Sequence, residues 1–250
     1  MWAAPNRVFM DMEEIVPVTI ISCRKQETDD RYIVVFSNEE KLLFSSEEVY
    51  TYCLYDEGAA VRGDFRQWLT DVLAKRMFSA VIGYAAAGLK PERKVRSKIA
   101  ERFPGICPAA DEADEKDAEP IWKSIYAAAA DQAIQALTEK GYINDLLYAE
   151  RYAAFALRTK PVSGMMLRYE LIQKGIAEET AESVLASAGI DDLAQAVRLL
   201  KKKSGMSREA LTDRKAYYKL LRYLIGKGFS PATAEYAVRQ CREGFEEEYE

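Results

Sequence analysis

The sequence predicts a mainly α protein: tandem three-helix repeats in a curved array, with a small β-rich N-terminal module ahead of them. Three observations predict this. Runs rich in β-branched and aromatic residues are confined to residues 16–44. From Phe65 onward, apolar residues recur at helical spacing and Gly or Pro punctuates at short intervals. The second half also repeats itself: Leu171-Ile172-Gln173-Lys174-Gly175-Ile176 returns as Leu224-Ile225-Gly226-Lys227-Gly228-Phe229, each followed by Thr-Ala-Glu, at Thr180 and Thr233.

The elements follow in chain order. Val16-Pro17-Val18-Thr19-Ile20-Ile21-Ser22 and Tyr32-Ile33-Val34-Val35-Phe36 read as strands. Lys41-Leu42-Leu43-Phe44 reads as a third, after a polar turn at Ser37–Glu40. Ser45-Ser46-Glu47-Glu48 opens a short helix. Ser45 is placed to cap the amide of Glu48 and Glu48 to reach back, which accounts for this carboxylate pair without acid–base chemistry. Phe65 to Tyr84 is one long helix, and Pro91 to Phe103 is a basic amphipathic one with Pro91 near its first turn. Residues 109–120 hold Asp111, Glu112, Asp114, Glu115, Asp117 and Glu119 with almost no bulky apolar residue, and read as an exposed acidic insertion. Ile121 to Lys140 resumes the helical pattern.

In the repeated unit, Leu171 and Leu224, three residues before Lys174 and Lys227, face the core. The lysines complement the negative helix end. Gly175 and Gly228 supply the left-handed stop, and Ile176 and Phe229 fold back onto it. Each unit has a further helix ahead of this pair: Asp145 to Arg158, where Tyr148, Tyr152 and Phe155 are expected in the core, and Asp191 to Lys203, with Leu193, Val197 and Leu200. Repeats of about fifty residues follow, which stack because one alone buries too little. The expected division is 1–64 for the β-rich module, 65–141 for the first repeat with its insertion, 142–189 for the second, and 190–250 for the third with an acidic tail.

Composition narrows the function. Among 250 residues there is no histidine, which removes the commonest general base and metal ligand and every Ser-His or Cys-His pair. The four cysteines, Cys23, Cys53, Cys107 and Cys241, form no C-x-x-C pair and are expected as free thiols. No enzymatic role, cofactor or metal is expected. No run approaches the ~20 apolar residues of a membrane span, and Met1–Glu14 lacks a cationic start followed by an apolar run, so a cytoplasmic location is expected. The formal charge of −5 argues against a simple nucleic-acid binder, but local charge matters more.

At Gly141-Tyr142-Ile143-Asn144-Asp145-Leu146-Leu147-Tyr148-Ala149-Glu150-Arg151-Tyr152 the chain resembles the RecX family. Pro161–Ile176 is similar to the second helix of the same repeat, Lys219–Val238 to the family's last repeat, and Phe44–Val49 to an N-terminal extension of some members. The resemblance implies a non-enzymatic regulator that binds the RecA–single-stranded DNA filament, blocks its extension or promotes its disassembly, and so damps strand exchange and the coprotease activity behind the SOS response. The chain departs from the family in three ways: the first repeat lacks the glycine, the overall charge is negative, and the tail Glu246–Glu250 is acidic.

Two basic clusters are the candidate contact surfaces. One holds Lys90, Arg93, Lys94, Arg96, Lys98 and Arg102. The other runs from Arg198 through Lys201, Lys202, Lys203, Arg208, Arg214, Lys215, Lys219, Arg222 and Lys227, opposed by Glu209 and Asp213 and interleaved with Tyr217, Tyr218 and Tyr223. Arg168 is a further candidate. Phosphate neutralisation beside aromatic stacking suits a single strand, while the bland alternative is a solvated helix surface whose tyrosines pack inward. The expected partners are the RecA filament and, as an alternative, single-stranded DNA directly, with the protein a monomer.

Overall fold

The structure, a computed structural model, describes residues 17–27, 29–103, 119–203 and 213–247. The expectations for residues 1–16, most of the acidic insertion, Cys107, Arg208, Glu209 and the last three residues of the tail lie outside the described residues. The described chain is mainly helical. Three strands, β1 (Ile20–Lys25), β2 (Arg31–Phe36) and β3 (Lys41–Ser45), precede α1 (Ser46–Thr51), α2 (Phe65–Ala86), α3 (Glu92–Arg102) and α4 (Glu119–Glu139). Then come α5 (Asp145–Thr159), α6 (Gly164–Gln173), α7 (Glu178–Ser187), α8 (Asp192–Lys201), α9 (Arg214–Ile225) and α10 (Pro231–Glu247). The chain divides into two compact units, Met1–Arg76 with Phe103–Gln132 and Met77–Arg102 with Ala133–Glu250.

The first unit contains an antiparallel sheet in the order β1-β2-β3. The first strand begins later than its sequence suggests. Cys23, Arg24 and Lys25 pair with Val34, Ile33 and Tyr32 although they are polar, while Thr19 forms an isolated bridge to Ala60 and Val18 accepts from the Val61 amide at 2.8 Å. Cross-strand partners set the strand's extent here, overriding local propensity. Phe36 and Phe44 are fully buried against Phe65 and Trp68, with ring centroids between 5.1 and 6.3 Å apart. The α1 capping box forms as expected: Ser45 Oγ accepts from the Glu48 amide, and Glu48 accepts from the Ser45 amide at 2.8 Å. Glu48 also takes Arg76 Nε at 2.5 Å, and Arg76 Nη2 donates to the Leu43 carbonyl at 2.7 Å, which ties β3, α1 and α2 together. Burial alone would raise the Glu48 carboxyl. The Arg76 guanidinium and the Ser45 amide outweigh it and hold the group below the usual carboxylate range.

In the second unit α5, α6 and α7 enclose one core and α8, α9 and α10 another. Leu167 and Leu171 of α6, and Leu224 of α9, are fully buried at helical spacing. The glycine stops form as the sequence predicts. Gly175 and Gly228 have φ of +94° and +84°. Ile176 donates to Leu171 O and Gly175 to Ile172 O, while Phe229 donates to Leu224 O and Gly228 to Ile225 O. These are the paired bonds of the Schellman cap. Gly141, at φ +78°, ends α4 in the same way, with Tyr142 bonded to Leu137 O and Gly141 to Thr138 O.

One core expectation is corrected. The inner stripe of α5 is Ala149, Ala153 and Ala156, all buried, whereas Phe155 is 56% exposed and Tyr148 and Tyr152 are partly buried. α5 packs closely on α7, and a small-residue seam permits that approach where aromatic rings would hold the helices apart. Tyr148 and Tyr152 stack at 6.2 Å on the flank of the seam. There the Tyr152 hydroxyl donates to Glu170 at 2.7 Å, Glu170 pairs with Lys160 at 2.6 Å, and Lys174 Nζ sits 4.6 Å from the Tyr152 ring centroid. Burial and the Glu170 carboxylate push the Tyr152 hydroxyl up to about 12.

Within this unit one joint is built twice. The aspartate that opens α5, Asp145, accepts the Glu92 amide at the start of α3 at 2.8 Å. The aspartate that opens α8, Asp192, accepts the Gly164 amide at the start of α6 at 2.9 Å. The glycine ending each later helix then settles on the same earlier helix start. A Cβ on Gly175 would lie 2.5 Å from the Arg93 side chain, and one on Gly228 would lie 2.6 Å from Ser163 Oγ. Hydrogen bonds close each joint, from Arg93 Nη1 to Gln173 O at 3.3 Å and from Ser163 Oγ to Lys227 O at 2.8 Å. The C-terminus of α9 therefore meets the N-terminus of α6, and the C-terminus of α6 meets that of α3, so the three helices run head to tail in one row.

Candidate partner-binding surface

The row leaves one side of each helix in solvent. On α9 the side chains of Leu220, Leu221 and Leu224 are buried, and Lys215, Tyr218, Lys219 and Arg222 lie exposed on the opposite face, with Lys215 and Arg222 each three or four residues from Tyr218 and Lys219. Arg214 is exposed at its start, where Asp213 caps the Ala216 amide at 2.9 Å. Residues 214–225 contain no carboxylate. The three interleaved tyrosines separate in the structure. Tyr217 and Tyr223 pack against the core of α8–α10, and Tyr218 is 47% exposed. Tyr223 also lies beneath two cations, Lys203 Nζ at 4.3 Å and Lys227 Nζ at 5.9 Å from its centroid.

The remaining candidates fall in different surroundings. Lys201 and Lys202 are exposed at the end of α8. Arg198, in the same helix, donates to the Leu157 and Arg158 carbonyls at 2.9 and 3.1 Å and so closes the end of α5. Arg93 belongs to the joint over Gly175, and Arg96 pairs with Glu92 at 2.6 Å. Lys94 is exposed on α3. Arg168 is gripped by Glu178 and by Glu182, so its charge is neutralised within its own repeat. The structure thus brings Arg214, Lys215, Lys219 and Arg222 together on one helix face and places Arg93, Arg96 and Arg168 in ion pairs or at a joint.

Sequence reasoning overlooked two features. Asp145 and Asp192 as joint residues had a signal: Asn144-Asp145 and Asp191-Asp192 are the same pair at the same place in successive repeats, the first capping its own helix and the second reaching to its neighbour. Met165 and Tyr169, on the outer side of α6, are 70% and 59% exposed. Aligning the Leu-Ile-x-Lys-Gly segments sets Met165 opposite Tyr218 and Tyr169 opposite Arg222, which would have placed both on the outer face. No helix among the described residues is long and apolar enough to cross a membrane.

Family models match both later helix triplets. The model described as RecX, second three-helix domain, matches residues 144–185, and that described as RecX, third three-helix domain, matches residues 190–238. The chain is 31% identical over 107 residues to the regulatory protein RecX of Leuconostoc citreum, a match covering 43% of this chain and 40% of that protein. It is 25% identical over 221 residues to the regulatory protein RecX of Clostridium acetobutylicum, covering 85% of this chain and 90% of that one. A crystal structure of regulatory protein RecX superposes with a TM-score of 0.51 at 17% identity, covering 87% of this chain and 97% of the other, a likeness of fold.

Proposed function

The chain belongs to the RecX family, and on that premise we propose that it is a non-enzymatic regulator of RecA that binds the RecA–single-stranded DNA filament and inhibits its recombinase and coprotease activities. The observation that carries this is the match of two RecX three-helix domains to consecutive triplets joined by one recurring joint. An extended row of helices with an exposed outer side suits a large, repetitive partner. That these relatives are regulatory proteins supports a regulatory role over a catalytic one. The same reading includes a cytoplasmic monomer divided into a β-rich module and three repeats.

The test is RecA ATPase activity on single-stranded DNA, titrated with this protein and with a variant in which Lys201, Lys202, Lys203, Lys215 and Arg222 are changed to Glu. Inhibition by the wild type and not by the variant supports regulation through the third repeat. Equal inhibition keeps the function and moves the surface. No effect from either, at excess protein, sinks the reading.

A second reading, direct binding of single-stranded nucleic acid independently of RecA, is favoured by the α9 face, where Tyr218 sits among Lys215, Lys219 and Arg222 with no carboxylate on the helix. Salt-dependent anisotropy of a labelled single strand in the absence of RecA distinguishes it.

A further inference from the structure

Resting on the filament reading, we propose that Met165 and Tyr169 on α6 anchor this chain to the protein component of the filament, against a surface that is apolar at its centre and acidic at its rim. Fold stability does not explain why these two side chains are apolar. The inner side of α6 is already filled by Leu167 and Leu171, both fully buried, whereas Met165, apart from a Cβ that borders the Gly228 joint, and Tyr169 are 70% and 59% exposed. Nor does the repeat geometry require apolar residues there. The equivalent positions are Arg93 and Ser97 on α3, and Tyr218 and Arg222 on α9.

The surroundings point to the chemistry of the occupant. α6 lies in the middle of the row, between two basic helices. Arg168, the one cation within α6, is held by Glu178 and Glu182, while α9 presents cations without a carboxylate. A nucleic-acid backbone demands neutralisation along its whole track, and a methionine beside a tied-up arginine offers none. An exposed Met–Tyr pair instead matches the residues enriched where protein interfaces concentrate their binding energy. Methionine adapts its shape to an irregular recess, and tyrosine adds a hydroxyl that can stay wet at its edge. The exposed Lys94 of α3 and Lys215, Lys219 and Arg222 of α9 then complement an acidic rim.

The test compares two affinities of one variant, Met165→Ala with Tyr169→Ala. Both sites are exposed, so the melting temperature should stay at the wild-type value. Met165→Gln, a helix-compatible single change, serves as a second variant should the pair perturb folding. Affinity is measured by co-sedimentation with RecA filaments assembled on single-stranded DNA, and by anisotropy with the bare strand. The expected result is a loss of about tenfold or more in filament affinity with affinity for the bare strand unchanged. Unchanged filament binding by the variant overturns the anchor. A parallel loss in both assays also overturns it, since the face would then be a nucleic-acid platform. The wild-type control separates these outcomes from failure of the filament reading itself, which would show as no filament binding before any mutation.

Discussion

The α6 and α9 helices occupy the same place in successive repeats and share everything that faces inward. Each starts from a side-chain cap, Ser163 to Met166 at 3.2 Å and Asp213 to Ala216 at 2.9 Å. Each buries a leucine four residues before its stop, which is a left-handed glycine seated on the preceding helix of the row. Their outer faces share little: Met165 and Tyr169 on one, Tyr218, Lys219 and Arg222 on the other. The joint dictates the inner half of each helix because its atoms are in contact. On the outer half the Met165 Cβ borders the Gly228 joint and Arg168 reaches Glu178 and Glu182, while the side chains of Tyr169, Tyr218, Lys219 and Arg222 are exposed and free to diverge.

The largest effects are expected where the shared half is broken. Gly228→Ala forces a left-handed residue and puts a Cβ 2.6 Å from Ser163 Oγ and 3.4 Å from the Met166 nitrogen. Gly175→Ala meets Cβ and Cδ of Arg93, both at 2.5 Å. Each should cost about 1–3 kcal/mol, read as a melting-temperature drop in thermal denaturation. The comparison sharpens in a double-mutant cycle: Ser163→Ala removes the obstructing oxygen, so its loss and that of Gly228→Ala should be less than additive. Strict additivity would show that the two residues do not share a joint.

The aspartate halves of the joints come next. Asp145→Ala and Asp192→Ala each leave a helix-start amide without its acceptor, and about 1–2 kcal/mol is expected from each. Faster hydrogen exchange at Glu92 and at Gly164, respectively, would localise the effect. Burial raises the Asp145 carboxyl above its ordinary value, so its charged form is disfavoured in the folded protein, and this cost grows as pH rises through the carboxylate range. Asp145→Asn keeps an acceptor without the charge and should be neutral or slightly stabilising at pH 7. A loss as large as that of Asp145→Ala would refute this.

A smaller, pH-dependent difference separates the repeats. Burial alone would raise Glu170, but Lys160 and the Tyr152 hydroxyl outweigh it and hold the carboxyl below the usual range. A carboxyl lowered in the folded state contributes stability that is present above its unfolded pKa and lost as pH falls through the folded one. At the aligned position the third repeat has Tyr223, held by Lys203 and Lys227, with no acid to protonate. On acidification below the ordinary carboxylate pKa, exchange protection in α5 and α6 should therefore fall before that in α9, and Glu170→Gln should abolish the difference. The smallest effect is expected at the outer face: Lys215→Glu with Arg222→Glu should change stability by no more than about 0.5 kcal/mol, and a clear melting shift would mean that those side chains pack.

Legibility followed the range of the forces involved. The capping box at Ser45 and Glu48 and the stops at Gly175 and Gly228 could be read directly, because each needs particular residue types only a few positions apart. The Asp145 and Asp192 acceptors sit at matching places in successive repeats, but their partners lie far away in the chain, so nothing local marked them as joint residues. The basic clusters were visible as composition, yet only the fold sorted the candidates, tying up Arg168, setting Arg93 at a joint and leaving Lys215, Lys219 and Arg222 in solvent. Phe155 misled, while Tyr148 and Tyr152 pack only on the edge of the core, because helical periodicity shows that a face exists without saying which of two adjacent faces turns inward.

By itself the sequence determined the helical repeats, their stops and the family likeness, since apolar period, glycine conformation and motif spacing are local properties. Tertiary structure decided which face of α5 is core, how one helix start receives the next repeat, and which tyrosine remains exposed. Those choices depend on the distance of approach between elements remote in sequence, where an alanine admits a neighbouring helix and a phenylalanine does not.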